Sequence, residues 1–119
     1  MEKYMLEALK QAQKAYEKDE VPIGCIIVRN TDGKIIAKAH NQRATKNNAI
    51  MHAEIIAINK ACKVMKDWRL NNCTMYVTLE PCIMCTGAIL NARIGKVVFG
   101  ASDEKSGFMG GFYDATSSS

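Results

Sequence analysis

The sequence predicts a layered α/β fold built on a sheet in which the strands joined by helices run parallel. Three observations lead to this expectation. Strand-like apolar runs alternate with helical stretches, the first two strands are separated only by a turn, and the later strands follow helices. At 119 residues the chain can bury one core, so we expect a single domain over 1–119.

The first half of the chain combines one amphipathic helix with a β-hairpin. Apolar side chains recur at helical spacing over 2–19: Met5, Leu9, Ala12 and Tyr16. Strands are predicted over 23–29 and 34–39, on either side of Asn30-Thr-Asp-Gly33, a sequence typical of a hairpin turn. An Asn-rich polar loop is expected over 40–51.

The second half alternates helix and strand. A helix over 52–66 is predicted to place one set of apolar side chains on a single face: Ile55, Ile58, Cys62 and Met65. A strand over 73–79 follows, and Pro81 then favours a turn into a helix over 82–91. A last strand is expected over 96–100. Glycines and serines beyond it predict a loop and a flexible tail over about 108–119.

Composition limits the class of protein. With 48% hydrophobic and 24% charged residues, the chain is typical of a globular domain. The apolar run over 23–28 is too short to cross a bilayer, and the amino terminus lacks the apolar run of a signal peptide. We therefore expect a cytoplasmic protein with no membrane association.

The five cysteines of the chain are an odd number, which argues against a disulfide framework. Cys25 and Cys62 are expected to be small buried hydrophobes.

Positive charge is concentrated in the middle of the chain. Residues 29–69 contain nine Lys or Arg against three acidic residues, whereas the whole chain has a net charge of +4. This segment surrounds His52, so it could attract a polyanion towards that side of the molecule. A solvated lysine-rich helix face explains the same charges equally well.

One constellation carries chemistry: His52 and Glu54 begin one predicted helix, and Cys82 and Cys85 begin the next. Two cysteines at positions i and i+3 can turn their sulfurs towards one point, and helix N-termini favour the negative charge of thiolates. One His and two Cys form a three-ligand zinc site that keeps a position open for water. His-x-Glu followed by Pro-Cys-x-x-Cys is the pattern of zinc deaminases acting on nucleosides and bases.

Other interpretations explain less of this pattern. A redox Cys-x-x-Cys pair gives no reason for His-Ala-Glu at the preceding helix start, and an isolated His52 would be read as a core or capping histidine. A structural zinc site would require Cys73 as a fourth ligand, but Cys73 lies within a predicted strand and is expected in the core.

The residues of the constellation suggest a mechanism. Zinc lowers the pKa of its water to about 7. Glu54 would take a proton from that water, pass it to the ring nitrogen beside the attacked carbon, and later protonate the departing amine. Backbone N–H groups of Ala53 and Cys82 are candidates to hold the attacking oxygen.

From Tyr4 to Gly107 the chain resembles the bacterial tRNA-specific adenosine deaminases, which convert the wobble adenosine of a tRNA anticodon to inosine. The matching segments are Val21-Pro-Ile-Gly24, Asn41, His52-Ala-Glu-Ile55, Trp68-Arg-Leu70, Tyr76-Val-Thr-Leu-Glu-Pro-Cys-Ile-Met-Cys85, and 93–101. The resemblance implies a three-layer α/β/α cytidine deaminase-like fold with a mixed central sheet. It also implies zinc, one ion per subunit, on His52, Cys82 and Cys85, with Glu54 as the proton shuttle.

The same resemblance implies the substrate contacts and the assembly. Asn41 matches the residue that hydrogen-bonds the target base, and Asp103 an acidic position near the neighbouring nucleotides. Val21 and Ile23 would help to line the base pocket. Family members are homodimers that bind the tRNA anticodon loop, so a homodimer and a single-stranded nucleic acid partner are expected.

Two departures from the family leave alternatives open. Ahead of His52 the chain has 48–51 Asn-Ala-Ile-Met where most bacterial members have Asp-Pro-Thr-Ala, and Met51 is bulky beside the pocket. Family members also continue beyond the Gly-rich loop, so the fold is expected to be shortened at its C-terminus. We therefore expect either a shortened or engineered form or a compact variant of such a protein. Single-stranded DNA is a further candidate substrate.

Two alternative functions remain at this stage. The first is deamination of a free base or nucleoside such as guanine or cytosine, because 61–64 and 106–108 are similar to guanine deaminases and 84–88 to cytosine deaminases. The second is a non-catalytic zinc-binding subunit. Glu54 argues against the second alternative, since a purely structural site needs no proton shuttle.

Overall fold

The computed structural model describes residues 2–109, and all seven predicted helices and strands are found there. In chain order these are α1 (Glu2–Glu17), β1 (Gly24–Arg29), β2 (Lys34–His40), α2 (Ala53–Met65), β3 (Cys73–Leu79), α3 (Ile83–Asn91) and β4 (Lys96–Ala101). The first helix ends at Glu17, before the predicted residue 19, because Asp19 adopts a left-handed backbone with φ of 57° and turns the chain towards β1.

The sheet is mixed, with the strand order β2-β1-β3-β4. Strand β1 is antiparallel to both of its neighbours, whereas β3 and β4 pair in parallel through the α3 crossover. The predicted parallel pairing across a helix is therefore confirmed for β3 and β4. Strands β2 and β3 also run in the same direction, but β1 lies between them, so their α2 connection does not join adjacent strands.

Helices cover both faces of the sheet, which gives the three layers implied by the resemblance. The alternating side chains of β1 show this directly: Cys25 and Ile27 belong to the main core, and Ile26 and Val28 pack with Ala8 of α1 on the opposite face. The main core also holds Ala53, Ala57 and Ala61 of α2 and Ile89 of α3. The fold thus brings the amino-terminal ends of α2 and α3 to one face of the sheet.

Close approach of helix and strand depends on small residues. A Cβ atom added to Gly24 would lie 2.0 Å from the carbonyl oxygen of Ala8, so only glycine fits where α1 crosses β1. In α2 the residues fully buried against the sheet are Ala53, Ala57 and Ala61. Three residues of the predicted apolar face, Ile58, Cys62 and Met65, pack against the main core but are only partly buried. The fully buried positions are alanines, because small residues allow the helix to lie closer to the sheet than isoleucines would.

The remaining sequence expectations have mixed outcomes. Cys25 and Cys73 are buried as expected, but Cys62 is only partly buried because it lies beside the alanine stripe of α2. At the start of the predicted tail, the N–H of Phe108 donates to the carbonyl of Pro81 and the N–H of Met109 donates to the carboxylate of Glu80. The rest of that tail lies outside the described residues. Among residues 2–109, none of the helices is long and apolar enough to span a membrane.

Candidate active site

The structure brings His52, Cys82 and Cys85 together at the N-termini of α2 and α3. His52 Nδ1 lies 3.8 Å from Cys82 Sγ and 3.6 Å from Cys85 Sγ. The three potential ligand atoms all lie within 4.8 Å of one another. Residues distant in sequence converge because α2 and α3 start at the same end of the sheet.

Helix capping geometry turns these side chains towards each other. His52 and Cys82 are the N-cap residues of α2 and α3, both with extended backbone, and neither side chain makes a capping hydrogen bond. Each instead uses its carbonyl oxygen to accept the first helical bond, from Ile56 and Thr86 respectively. The side chains are therefore available to a shared ligand, beside two helix ends that favour negative charge.

The two thiols have opposite acidities. Hydrogen bonding to Cys85 lowers the pKa of Cys82 to about 5, helped by backbone amides and by His52. The pKa of Cys85 is raised well above its usual range because this thiol donates to Cys82 and is buried near Glu54. At neutral pH the pair thus holds one thiolate, and binding of a cation would displace the second proton.

Glu54 lies directly beside the three-residue group and is only 3% exposed. Burial raises the pKa of its carboxyl group to about 7. Within residues 2–109 its Oε1 atom has no hydrogen-bond partner, which is costly for a buried polar atom unless a ligand or water satisfies it. One histidine, two cysteines and an unsatisfied carboxylate oxygen fit a zinc ion with a water molecule in its open position.

Asn41 follows β2 directly and is held in one orientation. It is 3% exposed, its N–H donates to the carbonyl of Ile23 at 3.1 Å, and its Oδ1 accepts from the N–H of Arg43 at 3.1 Å. The amide oxygen is therefore engaged within the protein, and the amide nitrogen remains as a hydrogen-bond donor.

A cavity of about 560 Å³ lies beside Asn41. Its walls are formed by the connection between α1 and β1 and by the loop after β2: Asp19, Glu20, Val21, Asn41, Arg43, Ala44, Asn47, Asn48 and Ala49. This volume is in the range of small-molecule sites. Val21 lines this cavity, whereas Ile23 packs against the main core, and neither Ile23 nor Met51 is among the residues of its wall. The role of Val21 and Ile23 in a base pocket stays a prediction.

Asp103 lies in a loop that is organised by its own carboxylate. That group accepts hydrogen bonds from the backbone of Lys105 and from the backbone and hydroxyl of Ser106, which lower its pKa. The role of Asp103 beside a bound nucleotide stays a prediction, as do the backbone donors proposed at Ala53 and Cys82.

Two buried carboxylates near the site had no assigned role in the sequence. Glu80 accepts from the N–H groups of Asp103 and Met109, at 3.0 and 2.9 Å, and so ties that loop to the start of α3. Glu20 accepts from the loop that follows Asn41. In the sequence, the available signal for these roles was an acidic residue directly before Pro81 and another directly before Val21. Only the tertiary structure shows what each carboxylate contacts.

The model of the cytidine and deoxycytidylate deaminase zinc-binding region matches residues 1–101. The chain belongs to this family. It is 56% identical over 109 residues to the tRNA-specific adenosine deaminase of Bacillus subtilis (strain 168), a match covering 92% of this chain and 66% of that protein. The chain thus spans slightly less than two thirds of that relative.

Solved structures that superpose on this chain are also deaminases. A tRNA:A34 deaminase, studied for A-to-I editing at the wobble position, superposes with a TM-score of 0.87 at 43% identity, covering 92% of this chain and 78% of that one. The guanine deaminase from Bacillus subtilis superposes with a TM-score of 0.80 at 39% identity, covering 85% of this chain and 64% of that one. The cytidine deaminase-like fold is therefore confirmed.

Proposed function

We propose that this protein is a zinc-dependent deaminase that converts adenosine to inosine in nucleic acid, with the wobble adenosine of tRNA as its substrate. One observation carries the chemistry: a buried carboxylate with an unpartnered oxygen lies beside a His-Cys-Cys group. Similarity to the Bacillus subtilis enzyme and to the tRNA:A34 deaminase supports the choice of substrate.

Zinc would be held by His52, Cys82 and Cys85, one ion per subunit. When bound there it would supply a water molecule acidified to a pKa of about 7 and polarised for attack. Cys82 has a strongly lowered pKa, so one of the two thiolate ligands is already present at neutral pH. Burial of Cys85 would shield its bond to the metal from competing water.

Glu54 would carry the protons of the reaction. Its carboxyl pKa of about 7 suits a group that must both accept and release protons near neutral pH. It would take a proton from the attacking water and deliver it to N1 of adenine, and it would then move a second proton to the amine leaving C6. Adenosine and water thereby give inosine and ammonia, with no oxidant or reductant.

Asn41 would bind the base. With its oxygen occupied by Arg43, the amide nitrogen can donate to a ring nitrogen of a purine. Val21 would pack against the base from the wall of the cavity. Asp103 and the backbone N–H groups of Ala53 and Cys82 complete the proposed site, the first near the flanking nucleotides and the others near the attacking oxygen.

The charge and surface of the chain support a nucleic acid partner and self-association. Arg43 and Lys46 are exposed on the loop that follows Asn41, where they could contact phosphates of an anticodon loop. On α3, Ile83 and Leu90 are 63% and 49% exposed, which favours burial of this helix face in a homodimer. We place the single domain in the cytoplasm, where tRNA would be available to it.

Deamination of a free base is the alternative with a specific observation in its favour, namely the similarity to the guanine deaminase. Both activities would use the same metal group and Glu54. They differ in whether the base arrives alone or as part of a strand, and only a substrate comparison separates them.

The test is to incubate zinc-loaded protein with an anticodon stem-loop carrying adenosine at the wobble position. Parallel samples contain the same sequence in the form of duplex RNA or of single-stranded DNA. Further samples contain guanine, cytosine or free adenosine. We expect inosine from the stem-loop, little from the duplex because its bases are stacked and paired, and no ammonia from the free compounds. Ammonia from a free base alone would refute the nucleic acid substrate and support the alternative.

A further inference from the structure

Glu20 is a buried carboxylate that the proposed chemistry does not use. It lies in the connection between α1 and β1, is 7% exposed, and forms part of the cavity wall beside Asn41. Buried acidic side chains are uncommon unless their oxygens are paired, so its contacts indicate its purpose.

The carboxylate of Glu20 is hydrogen-bonded to two successive residues of the loop after β2. Its Oε1 accepts from the N–H of Ala44 at 3.1 Å. Its Oε2 accepts from the N–H of Thr45 at 2.5 Å and from the Thr45 hydroxyl at 2.6 Å. Three donors on one ionised acceptor form strong, directional contacts, and they lower the pKa of Glu20.

Hydrogen bonds within the loop connect the residues that Glu20 holds to both ends of the loop. Arg43 immediately precedes Ala44, its N–H orients the Asn41 amide, and its carbonyl accepts from Asn48 at 3.0 Å. At the other end, the N–H of Gln42 donates to the carbonyl of Met51 at 2.9 Å, next to His52. These hydrogen bonds close the loop on itself, and Glu20 attaches it to the connection between α1 and β1.

We propose that Glu20 is a positioning residue: its carboxylate holds the 42–51 loop so that Asn41 presents its amide nitrogen to the target base. This inference rests on the proposed deaminase function. It extends that function by assigning the orientation of the base to a contact between the α1–β1 connection and the loop. Glu20 acts through Asn41 and touches neither the base nor the metal group.

Glu20→Gln is the main test, because glutamine keeps the shape but replaces one acceptor oxygen with a donor that faces N–H groups. We expect kcat/KM on the stem-loop to fall on the order of 10- to 100-fold, since small displacements of a positioning group cost this much. Zinc content should stay unchanged. Thr45→Val should lower the rate less, and Thr45→Ser, which keeps the hydroxyl, should match the parent protein.

A double-mutant cycle separates positioning from a general structural role. If Glu20 acts through Asn41, then Glu20→Gln should have little further effect in a protein that already carries Asn41→Ala, measured in single turnover with excess enzyme. An equal loss of rate in both backgrounds would overturn the proposal. Glu7→Gln is the matched control: Glu7 pairs with Lys10 and Lys38 on the surface and should leave kcat/KM unchanged.

Amide hydrogen exchange tests whether Glu20 holds the loop, without any activity measurement. In Glu20→Gln the amides of Ala44 and Thr45 should exchange on the order of 10-fold faster, because each loses or weakens its acceptor. Unchanged exchange at both residues would refute the proposal that Glu20 holds the loop. If the parent protein deaminates none of the substrates, the proposed function fails, and the exchange result still decides whether Glu20 holds the loop.

Discussion

Replacement of Glu54 by glutamine should lower the rate of deamination by at least about 10²-fold and at the same time stabilise the zinc-free protein. The carboxylate is 3% exposed and its Oε1 has no partner within the described residues. Glutamine has nearly the same shape but carries no charge at any pH. The substitution therefore removes the proton carrier and also removes the cost of ionising a buried acid.

The size of the stabilisation follows from the acidity of the buried group. Burial raises the pKa of Glu54 from its usual 4.5 to about 7. For an acid whose folded pKa is raised, the destabilisation is small below pH 4.5 and grows until the pH exceeds 7. The free energy of unfolding of Glu54→Gln should therefore exceed that of the parent by about 3 kcal/mol at pH 8 and by less than about 1 kcal/mol at pH 5.

The assay is urea denaturation of both proteins in a chelating buffer at pH 5 and pH 8, followed by far-UV circular dichroism. In the zinc-loaded proteins the rate of inosine formation should fall at least about 10²-fold, as expected for loss of a general acid-base group, with zinc retained. Glu17→Gln, at an exposed carboxylate at the end of α1, is the control and should behave as the parent.

Two results would refute this reasoning. If Glu54→Gln lost its zinc, Glu54 would be part of the metal site and not a proton carrier beside it. If the stability difference between the two proteins were the same at pH 5 and pH 8, the carboxyl group would not titrate with the raised pKa that its burial implies.

Three further predictions concern packing and the metal group. Gly24→Ala should destabilise the fold by about 1–3 kcal/mol or more, because the added Cβ meets the backbone of α1, and thermal denaturation measures this. Gly87→Ala, where no atom lies within 4 Å of the added Cβ, should instead stabilise α3 by about 0.5–1 kcal/mol; an equal effect at both glycines would contradict the packing described. Cys85→Ser should lose zinc in metal analysis after dialysis while Cys62→Ser keeps it, and loss in both would show a different ligand set. Chelation should lower the melting temperature of the parent protein but not that of Cys85→Ser.

Local sequence patterns were sufficient to predict the helices and strands and the chemistry of the site. The strand over 73–79 was predicted with its observed bounds, because a run of β-favouring residues is closed by Pro81. The positions of Glu54 relative to His52, and of Cys85 relative to Cys82, depend only on the N-cap residue and the first turn of one helix. Their convergence followed from the alternation of strands and helices.

Other features depend on contacts between distant residues, which periodicity does not encode. The burial of α2 through its alanines was missed because hydrophobicity favoured the isoleucines, whereas the distance between helix and sheet selects for size. Likewise, β1 lies between β2 and β3, although sequence order suggested that the strands joined by α2 would be neighbours.

By itself, then, the sequence determined the class of fold, the four residues of the metal and proton chemistry, and the family that they indicate. Only the tertiary structure decided the acidities of Cys82 and Glu54, since these depend on the hydrogen bond between Cys82 and Cys85 and on the burial of Glu54 rather than on residue type. It also decided that Asp103 organises its own loop and that Glu20 holds the loop of Asn41. A carboxylate acts through whatever lies within hydrogen-bonding distance, and that is set by folding.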